Sequence, residues 1–134
     1  MGRVEIFYKD SNVIIIYKPE GLLSVSFSGS RGKTAQGIIE QILRKTGEYS
    51  AKYRPLVVHR LDRETSGLMM FATNERAQKV IMDKWHSMVT SRKYIALSEN
   101  PSNFKKYGIL PDAGIINDNI AYNAYNIGYV PEKN

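Results

Sequence analysis

The sequence predicts an α+β fold class. Two observations carry this: short β-rich runs bracketed by turn formers, and two longer stretches whose apolar residues recur at helical spacing. With 134 residues and 43% apolar content, the chain has material for one domain with a core of its own.

In order along the chain, residues 4–8 and 13–18 read as two strands joined by the turn formers Asp10, Ser11 and Asn12, with Pro19 ending the second. Residues 20–33, rich in glycine and serine, form a loop. Thr34 is placed to cap a helix running to about Lys45, with Ala35, Ile38, Ile39, Ile42 and Leu43 on one face and Gly47 past its end. Strands over 56–59 and 67–72 follow. A helix from Asn74 to about Val89 carries Ala77, Val80, Ile81, Trp85 and Met88 as its apolar stripe, so Trp85 is expected to pack in the core. Residues 92–97 read as another strand. Beyond residue 112 the alternation is ambiguous, and the chain is expected to be a domain truncated at its C-terminal side.

Composition narrows the chemistry. Nineteen Lys and Arg against 13 Asp and Glu leave a formal charge of +6, which attracts a polyanion without identifying one. Without cysteine there is neither a disulfide nor a thiolate metal site, and His59 and His86 are too few for a metal set, so no metal and no cofactor are expected. Apolar runs such as 13–17 are far shorter than a membrane span, and the first residues lack the apolar core of a signal peptide; no membrane partner and a cytoplasmic setting are expected.

Two segments compete as the site. Gly29-Ser-Arg-Gly-Lys-Thr34 ends like a phosphate-binding loop at a helix start, but that pattern requires glycine where Phe27 stands. An NTP site, a basic loop touching RNA phosphate and a solvated loop all remain readings of it. The other segment is His59-Arg-Leu-Asp-Arg-Glu-Thr-Ser-Gly67. If it is extended, Arg60 and Asp62 share one side while Leu61 enters the core. A neighbouring guanidinium favours the ionised carboxylate that a nucleophile requires. The same spacing also suits an Arg–Asp ion pair that merely staples a loop.

The segment His59–Gly67 resembles the catalytic signature of the RluA-type pseudouridine synthases: His-Arg-Leu-Asp, two variable residues, then Thr-Ser-Gly. It is flanked by Tyr17-Lys-Pro-Glu-Gly-Leu-Leu-Ser24, which resembles the family's upstream Asn-Lys-Pro-x-Gly with Tyr17 in place of Asn. Downstream, Arg92-Lys-Tyr-Ile-Ala-Leu97 resembles its Lys-x-Tyr-x-Ala strand, here with Lys and Tyr adjacent. Three motifs in the family's order cover about the first hundred residues.

The resemblance implies a mixed, mainly antiparallel sheet with packed helices, and an enzyme that isomerises uridine to pseudouridine in ribosomal or transfer RNA without metal or nucleotide cofactor. It makes Asp62 the catalytic carboxylate and Tyr94 the aromatic that stacks on the target uracil, although a strand aromatic packed in a core is the plain reading of Tyr94. Arg60 would hold the loop or touch phosphate, Arg63 would contact RNA, and Lys18, Arg31, Lys33, Arg92 and Lys93 would line the backbone track, each of them equally readable as a solvated charge. Nothing after Leu97 resembles the family's later Arg-x-His-Gln-Ile-Arg segment. The chain is therefore expected to be a fragment of a longer synthase or an inactive RNA-binding remnant of one.

Overall fold

The computed structural model describes residues 2–27, 32–97, 114–115, 117–125 and 127–131. The chain divides into two compact units, 1–92 and 93–134.

The first unit is built on a sheet of strands β1 (Glu5–Lys9), β2 (Val13–Lys18), β3 (Leu56–Val57) and β4 (Gly67–Ala72), in the order β1-β2-β4-β3. Every ladder between these strands is antiparallel. Asp10 makes the β1–β2 turn: its Oδ1 accepts from the backbone N–H of Asn12 at 2.7 Å and of Val13 at 2.8 Å. A register shift between Ile6 and Tyr8 leaves Phe7 as a bulge on the edge strand.

The period-2 alternation of the two central strands sorts their side chains onto two faces. Ile14 and Ile16 of β2 lie opposite Phe71 and Met69 of β4. All four are buried against helix α1 (Ala35–Lys45) through Ala35, Ile39 and Leu43. The offset residues Val13, Met70 and Ala72 face the other way, toward Ala77 and Ile81 of helix α2 (Glu75–Asp83). Both helices start where their caps dictate. Thr34 Oγ1 accepts from Gly37 N at 3.1 Å, and Asn74 Oδ1 accepts from Ala77 N at 2.9 Å.

Three expectations about elements require correction. The helix expected over 74–89 breaks at Lys84 (φ −109°, ψ 16°) and resumes as the single turn α3 (Trp85–Met88). The apolar stripe survives the break, since Trp85 still joins the cluster of Ala72, Ala77 and Ile81. The strand expected over 56–59 stops at Val57. From His59 the chain turns out of the ladder.

Residues 92–97 form no strand; Ile95 and Leu97 are fully exposed. A strand exists only with a neighbour to receive its N–H groups, and among the described residues none pairs with this segment. Within the second unit, β5 (Ala121–Tyr122) and β6 (Gly128–Tyr129) form a short antiparallel hairpin. Asn123 shapes its turn by accepting from Tyr125 N and Ile127 N through Oδ1. Among the described residues no helix is long and apolar enough to cross a membrane.

Candidate active site

Between Val57 and Gly67 the chain runs as an irregular loop with a turn at Arg63 and Glu64. Leu61 is buried, at 8% exposure, while Arg60 and Asp62 on either side of it are exposed. The alternation expected of a strand is thus present without a strand, because burial of Leu61 against the β2–β4 core orients its neighbours outward. Gly67 adopts φ +142°, a conformation that side chains disfavour, and this lets the turn re-enter the sheet directly as β4.

The loop following β2 holds this turn from both sides. Ahead of Asp62, the buried Ser24 hydroxyl donates to Leu61 O at 2.5 Å and accepts from Leu61 N at 3.1 Å. Behind it, Arg63 O accepts from Gly21 N at 2.8 Å and from Lys18 Nζ at 3.2 Å, and Arg63 Nε donates to Gly21 O at 3.2 Å. Gly21 reaches this position with φ +74°. Thr65 N closes the turn onto Asp62 O at 3.2 Å. Asp62 therefore sits, with an exposed carboxylate, on a backbone tied at the residues before and after it.

Several expected site residues take unexpected places. Lys18, expected along an RNA backbone track, is fully buried, and its ammonium also donates to Pro19 O at 3.0 Å and Leu22 O at 2.7 Å. Burial pushes its pKa below the ordinary lysine value, against the attraction of Glu64 and Asp62. The β-strand face that buries Ile14 and Ile16 continues to Lys18, so the side chain enters the protein and its three donors must be satisfied there.

The guanidinium expected beside Asp62 is not there. Among the described residues no cation approaches its carboxylate within 4.0 Å, and Arg63 instead lies 3.9 Å from Glu64. Lys18, whose charge Glu64 and then Asp62 favour, reaches this turn through the Arg63 carbonyl. Lys33 is exposed, and the Thr34 hydroxyl next to it is occupied as a helix cap; Arg31, with Gly29 and Ser30, lies outside the described residues. Arg92 is exposed at the end of the first unit. Lys93 and Tyr94 belong to the second unit, where Tyr94 is 64% exposed and not in a core.

Three contributors escaped the sequence reading: Ser24, Gly21 and His59. Ser24 and Gly21 stood in the quoted upstream motif, but nothing local reveals that a hydroxyl will meet Leu61, 37 residues away. His59 is the third. Its Nε2 accepts from Met70 N at 3.0 Å, and its ring lies 5.0 Å from that of Trp85, so the residue anchors the start of the loop to β4.

Residues 12–132 match the family described as RNA pseudouridylate synthase. The chain belongs to this family. Its relatives include the "Uncharacterized RNA pseudouridine synthase YlyB" of Bacillus subtilis, 30% identical over 70% of this chain and 31% of its own length. The "Ribosomal large subunit pseudouridine synthase D" of Neisseria meningitidis serogroup B is 32% identical over 92% of this chain and 30% of its own. A solved structure, "Human RNA Pseudouridylate Synthase Domain Containing 4", aligns over 62% of this chain and 30% of that one, with a TM-score of 0.49 and 22% identity. The chain spans less than a third of the length of these curated relatives. Among the described residues a sheet with antiparallel ladders, covered by helices, is the architecture of this member of the family.

Proposed function

We propose that this chain carries the catalytic aspartate of an enzyme that converts specific uridines of structured RNA to pseudouridine, with Asp62 as that residue. The observation that supports it most is the exposed carboxylate of Asp62 on a turn tied on both sides, within a chain that matches the synthase family over residues 12–132. In this reaction the bond between N1 and the ribose C1′ breaks, the uracil turns while held, and a C5–C1′ bond forms. The proton on C5 is lost and N1 regains one. Asp62 attacks C1′, attacks C6, or takes a ribose proton; an exposed, rigidly carried carboxylate serves any of the three.

The base has to leave its helix to react, and contacts in the pocket offset that unstacking. Tyr94 is our candidate for the stacking platform, from its place in the downstream motif. The exposed Arg60, Lys33, Arg92 and Lys93, with Arg31, are candidates for phosphate contact, whereas Arg63 reaches RNA only by sharing a guanidinium already bonded to Gly21. Ribosomal RNA is the first candidate substrate, because the named relatives include ribosomal large subunit enzymes, and transfer RNA the second. The setting proposed is cytoplasmic and the chemistry independent of metal or nucleotide.

The test is tritium release from RNA labelled at uridine C5, taken from cells lacking the gene. The parent is expected to release tritium and Asp62→Asn to lose at least about 100-fold in rate, with RNA binding retained. RNA binding by the parent without release would instead identify an inactive remnant.

A further inference from the structure

We propose that Ser24 is a positioning residue for Asp62, an inference that rests on the function proposed above. Ser24 is 4% exposed, and its hydroxyl uses both its donor and an acceptor site on one residue, Leu61. It does for Leu61 what a neighbouring strand would do, at the point where β3 has ended and the chain has no ladder. The next residue is Asp62.

Ser24 is itself anchored. Gln36 N donates to Ser24 O at 3.1 Å and Ala35 N donates to Leu23 O at 2.8 Å, so two N–H groups of the first turn of α1 hold the segment. A single connected path therefore runs from α1 through Ser24 and Leu61 to the Asp62 backbone. Among the described residues the carboxylate side chain has no hydrogen bond or ion pair of its own, so its placement depends on the backbone that carries it. Misplacing a reacting group by about 1 Å costs on the order of 100-fold in rate.

Replacing Ser24 by alanine leaves the N–H and the C=O of Leu61 both without this partner in a buried setting, which frees the backbone in front of Asp62. Ser24→Thr keeps the hydroxyl. The two variants separate positioning from bulk packing.

The experiment combines steady-state tritium release from C5-labelled RNA with amide hydrogen exchange at Leu61, on the parent, Ser24→Ala and Ser24→Thr. For Ser24→Ala, kcat per folded molecule is expected to fall by about 10- to 100-fold with KM changed by less than about threefold. Exchange at Leu61 is expected to accelerate by on the order of tenfold while amides of β2 and β4 keep their protection. Ser24→Thr is expected to recover most of the kcat and the Leu61 protection. An alanine variant with parental kcat per folded molecule overturns the proposal, and so does unchanged exchange at Leu61. If alanine prevents folding, Ser24→Cys takes its place, since it holds the volume and weakens both bonds; the same kcat loss supports the proposal and a parental kcat overturns it. A parent without turnover refutes the function and not the positioning, which the Leu61 exchange then decides by itself.

Discussion

The ammonium of Lys18 lies 3.2 Å from the carbonyl oxygen of Arg63, and this contact joins the end of β2 to the residue that follows Asp62. Two opposed effects act on the buried lysine. Desolvation penalises its charge, while three carbonyls, of Pro19, Leu22 and Arg63, each accept from it. In Lys18→Met the penalty vanishes, but the carbonyls stay in place and lose their donor. Arg63 O keeps Gly21 N; Pro19 O and Leu22 O lose this partner. Unsatisfied buried acceptors cost more than a typical bond contributes, so the loss wins, and a destabilisation of about 1–3 kcal/mol is expected by urea unfolding. A methionine variant as stable as the parent would show the three bonds to be worth no more than the desolvation they offset.

Gly67 starts β4 with φ +142°, where a Cβ would sit 3.9 Å from Leu61 Cδ1, an ordinary contact. Space is available, so Gly67→Ala is penalised through its backbone alone, by about 1–3 kcal/mol. Gly32→Ala is the control: it meets nothing within 4 Å and has no positive φ, so its effect should stay within about 0.5 kcal/mol. Chemical denaturation of both variants checks the pair, and equal midpoints would remove the strain argument. Because the Gly67 turn also closes the segment carrying Asp62, the same variant is expected to lose activity ahead of stability.

What was legible in the sequence was local. The Thr34 cap, the helix start near Asn74, the Asp10 turn and the apolar runs of β2 and β4 all act within a few residues of themselves, and the structure contains each of them. The errors arose where a partner distant in sequence decides. Residues 92–97 have strand composition but no ladder neighbour among the described residues. Lys18 reads as a surface cation until Arg63, 45 residues later, supplies a carbonyl beside it. The Arg–Asp pairing suggested by adjacency in the motif gave way to a backbone clamp, because burial of Leu61 and the bonds of Ser24 and Gly21 already hold the turn. Among the described residues the Asp62 carboxylate has no ion-pair partner within 4.0 Å.

His59 gives the site a dependence on pH. Its Nε2 is the acceptor for Met70 N, so the bonded ring is neutral with its proton on Nδ1, and a protonated ring has no acceptor to offer. Burial first, and the charge of Arg92 second, lower its pKa below the usual 6.5. The folded protein therefore takes up this proton less readily than the unfolded chain. Above pH 6.5 both states hold a neutral ring and the contribution is complete; as pH falls below 6.5 the unfolded state gains protons first, and the contribution declines toward the folded-state pKa. Thermal unfolding of the parent and of His59→Gln, at about pH 7.5 and about pH 5, reads this directly. The parent's advantage over the variant is expected to shrink at the lower pH. An advantage independent of pH would mean that the Met70 bond does not set the protonation of this ring, and would detach the anchor of the Asp62 loop from any titration.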